Sequence, residues 1–292
     1  MIIPGAPSQE LARQLASRTE HDLASISVTT FPDGERLAAI PHLDTEHAVI
    51  VSSTPSADAH IDLLQLQDAA REAGASKITT IIPYLGYARQ DKPMAPGHGV
   101  DDTPPGYPLS IRAIARAIST GTDEVIVVTP HEASALEHFT VPATAVAGAA
   151  PLAEGLPADL IDPVFLAPDH SARSLARSVR DAAGTGTVDH FEKTRIDAST
   201  VSIDPSEVTI DDRDLVLVDD IIATGGTMSA AVDQLTDSGA NRVFATCVHP
   251  LLINSAPTEL ARAGVEAIIG TDTIERPQSV VSVAEPIANI LE

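Results

Sequence analysis

The stretch Leu215–Met228, LVLVDDIIATGGTM, decides the reading of the chain around it. An apolar, β-branched run, Leu215–Val218, ends in two carboxylates, Asp219 and Asp220. Ile221, Ile222 and Ala223 lead into Thr224-Gly225-Gly226-Thr227, and Met228–Leu235 is compatible with a helix. The pattern predicts a strand, a tight loop and a helix, with the loop at the carboxyl end of a parallel strand, where open α/β sheets bind ligands. The two glycines let backbone N–H groups turn inward, and Thr224 and Thr227 add hydroxyl donors. A helix N-terminus behind them favours an anion, so the loop suits a phosphate. The carboxylates repel a phosphate. They suit sugar hydroxyls, or a metal ion bridging to a second phosphate. Phosphate on the loop and a polyol on the acids describe a sugar phosphate; the competing reading is an ordinary βα turn with solvated acids.

Outward from this loop, strands and helices alternate twice. In the first run, strands are expected at Ile2-Ile3, Ile26–Phe31, Ala48–Val51, Lys77–Pro83 and Glu124–Val128. Helices are expected at Gln9–Ala16, capped by Ser8, across Ile61, Leu64, Leu66 and Ala69–Ala70 with a stop at Gly74, and at Leu109–Ile118. Pro93–Pro108, rich in Pro, Gly and Asp, reads as a mobile loop. In the second run, strands are expected at Val164–Ala167, Val188–Phe191, Leu215–Val218, Val243–Val248 and Ala267–Ile269, and helices at Ala172–Ala183, Met228–Leu235 and Thr258–Ala263. Pro286 sits at a final helix start, with Ile287, Ile290 and Leu291 on one face. The alternation predicts two doubly wound parallel-sheet α/β domains with a boundary near Thr140–Ala150.

At 292 residues the chain has room for two cores. No apolar run reaches the length of a membrane span, and Met1–Gly5 lacks the basic head of a signal peptide. Cys247 is the single cysteine, in a strand that reads as buried, so no intrachain disulfide forms and a reducing cytoplasm fits. Eighteen Lys+Arg against 41 Asp+Glu give a net charge of −23, which repels nucleic acid and anionic membranes. The three lysines are Lys77, Lys92 and Lys193; scarce lysine and abundant acid suggest a salt-adapted cytoplasmic protein.

The central segment resembles the phosphoribosyl pyrophosphate signature shared by phosphoribosyltransferases and ribose-phosphate pyrophosphokinases. Three further stretches resemble the pyrophosphokinase family alone: Phe31-Pro32-Asp33-Gly34-Glu35, Pro83–Lys92 (PYLGYARQDK) and Ser110–Ile118 (SIRAIARAI). With Asp169, Lys193 and Arg195, the resemblance covers nearly the whole chain. It implies two domains of the phosphoribosyltransferase type, residues 1–142 contacting the nucleotide and 143–281 the ribose 5-phosphate. Residues 282–292 form a segment that packs back on the first. It further implies a magnesium-dependent enzyme and a homo-oligomer. The reaction moves the β,γ-diphosphoryl group of ATP to the anomeric hydroxyl of ribose 5-phosphate and releases AMP.

Roles follow residue by residue. Asp33 and Glu35 accept only, which suits an adenine amino group or a ribose hydroxyl, and Gly34 completes the loop. Arg89 stacks on a base or grips a phosphate, and Gln90 serves either edge. Asp219, Asp220, Ala223, Thr224, Gly225, Gly226, Thr227 and Arg195 are expected at ribose 5-phosphate. His131, after a strand end, offers an imidazole to a metal, although a lone histidine is commonly structural; Asp169, at the next domain's strand end, offers a second, hard-oxygen site. Lys193 and Arg195 alternate on an exposed polar arm, and in the family this pair closes over the phosphates during transfer.

Three departures stand out. Ala223 replaces a third acid found in many members, Thr129 replaces an aspartate that often precedes the histidine, and Gly97–Gly106 is longer than usual. A phosphoribosyltransferase would use the central loop but leave Asp33, Glu35, Arg89 and Gln90 without purpose. A silent regulatory relative would have had no need of Lys193 and Arg195.

Overall fold

The computed structural model describes residues 1–93, 106–170, 172–195, 201–205 and 208–291, and of residues 192–195, 201–205 and 227 the backbone. The Pro93–Pro108 reading falls mostly outside these. The chain divides into two compact units, 1–147 with 284–292, and 148–283.

The first unit is built on a parallel sheet. Its elements run β1 Ile2–Pro4, α1 Gln9–Ala16, β2 Ser27–Thr30, β3 Arg36–Ala39, β4 His47–Val51, α2 Ala57–Glu72, β5 Lys77–Ile82, α3 Ser110–Ser119, β6 Glu124–Val128 and β7 Ala143–Val146. The sheet order is β1-β4-β5-β6-β7, all parallel, with β2 and β3 pairing antiparallel in a separate ribbon. Both faces are covered: Ile50, Ile78 and Val125 enter one core with Leu63 and Ile118, while Val49, Ile81 and Ile126 are buried on the other face. That explains why these strands read as unbroken apolar runs. The domain division expected at 142/143 lies instead at 147/148, because β7 pairs with β6 from Val125↔Ala143 to Val128↔Val146.

Two helical faces differ from the expected ones. α2 buries Leu63, Leu66 and Ala70 and leaves Ile61 47% exposed, because His60, Asp62 and Gln67 on the buried side find polar partners. Ser8 precedes α1 but does not cap it; its hydroxyl accepts the Ser53 N–H instead.

The second unit contains β8 Val164–Ala167, α4 Arg173–Ala183, β9 Thr187–Arg195, β10 Val201–Pro205, β11 Leu215–Ile222, α5 Gly226–Asp237, β12 Val243–Pro250, α6 Ala256–Arg262, β13 Val265–Thr271 and β14 Ser279–Val281. Its sheet order is β10-β9-β8-β11-β12-β13-β14, parallel except at β9–β10. The chain steps from β8 outward to β9, then crosses back to β11 on the other side of β8. This reversal is the topological switch point at which such sheets open a ligand crevice. The last helix, α7 Ala284–Leu291, belongs to the first unit and packs against α1. It buries Ala284, Ile287 and Ala288, whereas Ile290, expected on the same face, is 43% exposed. Among the described residues no helix is long and apolar enough to cross a membrane.

The entry to β11 is fixed by a buried carboxylate. Asp214 accepts from Arg242 Nη2 at 2.6 Å, Asn241 Nδ2 at 2.7 Å and the Ile161 N–H at 2.7 Å. Burial raises its pKa, but the hydrogen bonds from Arg242, Ile161 and Asn241 outweigh burial and hold it below the ordinary carboxylate range. A depressed carboxyl adds stability above its unfolded pKa and loses it as pH falls through the folded one. Asp214→Ala leaves Arg242 without its buried partner and is expected to cost about 3–5 kcal/mol at neutral pH. Melting curves across pH check this: the gap between wild type and variant should narrow as pH falls below about 4 and through the lower folded pKa. A gap that stays constant into acid would contradict the assignment.

Candidate functional site

In the second unit the register brings four chemical segments to one edge. β8 pairs with β11 only from Leu215↔Val164 to Leu217↔Leu166, so β11 runs on past the end of β8 carrying Asp219 and Asp220. The strand was expected to stop at Val218. It continues because β12 keeps pairing with it, through Asp219↔Cys247, Ile221↔His249 and Ile222↔Pro250. The two acids are therefore held by a ladder, both partly exposed, and successive strand residues face opposite sides of the sheet. The Asp220 N–H donates to Asp219 Oδ1 at 2.8 Å. Cys247, beside them, is wholly buried and its thiol pKa is pushed up chiefly by that burial, so it is inert.

The loop after β11 is tied down from behind: the Leu252 N–H donates to Ile222 O at 2.9 Å and the Ile253 N–H to Ala223 O at 3.0 Å. α5 begins at Gly226, two residues before the expected Met228. The two glycines serve different purposes. Gly225 has φ +76°, and a Cβ there would stand 3.3 Å from Leu260 Cγ on α6. The positive φ favours glycine there for the backbone's own sake, and the approach to Leu260 is a tight one. Gly226 is exposed, helical, and a Cβ there would meet nothing within 4 Å. Neither backbone nor packing requires glycine at 226, and its bare Cα leaves the helix N-terminus open to close approach.

Asp169 follows β8 at the same edge, exposed, with Oδ1 accepting the Ala172 N–H at 3.1 Å. Lys193 and Arg195 lie not on a loose arm but in β9, which runs beyond the expected Phe191 because β10 pairs with it through Lys193↔Ile203 and Arg195↔Val201. β9 leaves β8 after His190↔Ala167, so this hairpin extends from the carboxyl end of the sheet.

The first unit carries the other group. Asp33-Gly34-Glu35 form the turn of the β2–β3 ribbon, closed by Phe31 N–H to Glu35 O at 2.7 Å, with Gly34 at φ +94° and both acids exposed. Arg89 and Gln90 line an open cleft of about 440 Å³ with Thr54, Pro55, Ser56, Tyr84, Gly86 and Tyr87. The cleft faces the start of α2, where Ser56 caps the helix by accepting the Ala59 N–H. Ser110 donates to Gln90 Oε1 at 2.6 Å, which leaves the amide N–H₂ of Gln90 for a ligand. Tyr87 is held at φ +64°, a sparsely populated conformation for a tyrosine, and its ring meets His60 edge to face at 5.4 Å. Gly86 admits no side chain, because a Cβ would sit 2.1 Å from Thr54 O. His131 is exposed just past β6, and the backbone turns there at Thr129, φ +39°, whose N–H donates to Val146 O at 2.8 Å.

Among the described residues no three His, Cys, Asp or Glu side chains converge as a complete metal cage. Magnesium does not need one: it takes one or two carboxylates and completes its shell with water and substrate phosphates. Asp169, with Asp219 and Asp220 along the same sheet edge, suits that habit. The imidazole of His131 is the less typical donor for so hard a cation.

The family described as the N-terminal domain of ribose phosphate pyrophosphokinase matches residues 1–103, and the phosphoribosyl transferase domain matches residues 153–274. The ribose-phosphate pyrophosphokinase of Halobacterium salinarum is 56% identical over 292 residues, spanning all of both chains. This chain belongs to the ribose-phosphate pyrophosphokinase family. The enzyme of that name from Methanopyrus kandleri is 39% identical over 296 residues, covering all of this chain and 98% of its own. The crystal structure of phosphoribosylpyrophosphate synthetase from Mycobacterium smegmatis superimposes with a TM-score of 0.80 at 26% identity, covering 100% of this chain and 97% of that one. The two-unit α/β architecture on largely parallel sheets is thus the family's.

The α2 N-terminus joins the cleft although no motif in the sequence marks it. Thr54 and Ser56 line the cleft with Arg89, and His60 meets the ring of Tyr87 in its wall. A signal was present in Ser52-Ser53-Thr54-Pro55-Ser56, a hydroxyl-rich turn directly after an apolar strand and before a helix.

Proposed function

We propose that this chain makes 5-phosphoribosyl 1-pyrophosphate: the anomeric hydroxyl oxygen of ribose 5-phosphate bonds to the β-phosphorus of ATP. The bond from that phosphorus to the α,β-bridging oxygen breaks, AMP leaves, and the hydroxyl proton is released. The observation that carries this reading is the pairing, in one chain, of a phosphate loop at a switch point with a second α/β unit bearing its own cleft. A phosphoribosyltransferase accounts for the first and has no use for the second.

The division of labour follows from the donors and acceptors. The Thr224–Thr227 loop and α5 take the 5-phosphate, and Asp219 and Asp220 accept from the ribose hydroxyls. Asp33 and Glu35 accept from the nucleotide, Arg89 supplies a cationic plane, and Gln90 donates through its amide. Magnesium, when bound, neutralises phosphate charge and orients the phosphoryl oxygens. His131 in the first unit and Asp169 in the second are each assigned as a metal ligand. Lys193 and Arg195 meet the charge that develops on the transferring group. Product analysis tests the reaction class: AMP as the nucleotide product supports it, and ADP would overturn it.

The same reading makes the chain a salt-adapted cytoplasmic homo-oligomer that binds small anions through local cations and avoids polyanions. Its net charge of −23 and three lysines support the salt adaptation and the avoidance of polyanions. Dense like charge destabilises a compact state until screened. Melting temperature and activity are therefore expected to rise from dilute buffer into molar potassium chloride. A melting temperature indifferent to salt would refute salt adaptation.

A further inference from the structure

The β2–β3 ribbon poses a mechanical problem. Its strands form a two-stranded sheet of their own, every residue of β2 is exposed, and an isolated pair of strands is marginal in water. Its turn nevertheless carries Asp33 and Glu35, which must be presented in one orientation if they are to read a nucleotide. Something outside the ribbon has to fix it.

That support is α2. Arg36, the first residue of β3 and the neighbour of Glu35, lays its guanidinium side-on against Asp62, Nε donating to Oδ1 at 2.8 Å and Nη2 to Oδ2 at 2.6 Å. Its third nitrogen, Nη1, donates at 3.2 Å to Thr30 Oγ1 on the facing strand, in register with Arg36, and lies 3.7 Å from Asp58 Oδ2. One side chain therefore clamps both strands at the base of the turn. Gln65, one helical turn on, completes the seat: its Oε1 accepts the Ala38 N–H at 2.7 Å and its Nε2 donates to Arg36 O at 2.8 Å. Asp62 is 3% exposed on a helix face that also buries Leu63, Leu66 and Ala70. A buried ion pair is seldom the most stable choice at such a site, since apolar residues of similar volume hold a fold at least as well. The first turn of the same helix carries Ser56 in the cleft wall and His60 against Tyr87 and Gly86, the stretch that leads into Arg89.

We infer that Arg36 and Asp62 are positioning residues for the nucleotide, fixing the Asp33–Glu35 turn on the helix that also supports the Arg89–Gln90 cleft. The inference rests on the nucleotide role given above to Asp33 and Glu35. Lysine cannot replace arginine here, because a single ammonium cannot hold Asp62 side-on and reach Thr30 together.

Two variants test it: Arg36→Lys, and the double variant Arg36→Met with Asp62→Leu, which removes the pair without stranding a buried charge. The measurements are KM for each substrate, kcat, melting temperature and the dissociation constant for ATP by titration. Both variants should weaken ATP by roughly 10- to 100-fold, the scale of a misplaced binding group, with kcat, KM for ribose 5-phosphate and melting temperature near wild type. Unchanged ATP affinity in a double variant of native melting temperature would overturn the inference. So would a uniform loss of kcat and of both affinities together with melting temperature, the mark of a merely structural pair. The ATP titration needs no turnover, so the positioning role is decided even if the reaction assigned above fails.

Discussion

Lys193→Ala should turn over about 10²–10³ times more slowly than wild type, the loss of roughly 3–4 kcal/mol of transition-state stabilisation from one preorganised charge. Michaelis constants and melting temperature should stay near wild type. The motive is position: Lys193 lies on β9 beyond its last pairing with β8, in a hairpin that leaves the sheet at the edge carrying Asp169 and Asp219. Segments with few apolar anchors contribute little to global stability, so the loss should not be a folding effect. Contacts that strengthen only as the diphosphoryl group moves lower kcat and leave ground-state binding alone. Arginine at 193 should restore activity only in part, because its planar fork differs from a compact ammonium. Steady-state kinetics decide the matter; near-normal turnover in Lys193→Ala would remove this residue from catalysis.

The second large effect separates two adjacent glycines. Gly226→Val should leave the melting temperature unchanged, because the backbone there is helical and a Cβ meets nothing within 4 Å. Ribose 5-phosphate should nevertheless bind roughly 10- to 100-fold more weakly, the equivalent of one charge-assisted hydrogen bond of about 1.5–3 kcal/mol. Gly225→Ala should behave oppositely and lower the melting temperature, since φ +76° strains a side chain. Titration calorimetry and thermal unfolding on the pair separate these outcomes. Intact phosphate binding in Gly226→Val would sink the claim that the ligand approaches that glycine closely.

What could be read from the sequence, and what could not, divides along the distance between partners. The apolar runs Ala48–Val51, Glu124–Val128 and Val164–Ala167 announce buried parallel strands by themselves, and Leu215–Met228 declares strand, loop and helix because all the determinants are local. The end of β11 differs from the expected Val218 because Asp219 and Ile221 are held in the strand by pairing with Cys247 and His249, about thirty residues away. The face of α2 was misjudged for a similar reason. Periodicity treats Asp62 and Gln67 as solvent-facing, yet Arg36 and Thr80 receive them inside the fold. The polar run Glu192–Arg195 gave no strand signal, because its extension depends on β10. Site residues in motifs were legible by type and order; supporting residues such as His60 and Arg36 were not, since their chemistry becomes visible only when helix, ribbon and cleft are assembled.

The most direct test follows the phosphorus. ATP labelled at its β-phosphorus is incubated with the protein, ribose 5-phosphate and magnesium in molar potassium chloride, with no nucleobase present. The account predicts AMP released in step with a 5-phosphoribosyl product that carries the β-label in its 1-pyrophosphoryl group. Unchanged ATP under these conditions, together with consumption of pre-formed phosphoribosyl pyrophosphate once a nucleobase is added, would contradict it and identify a transferase instead.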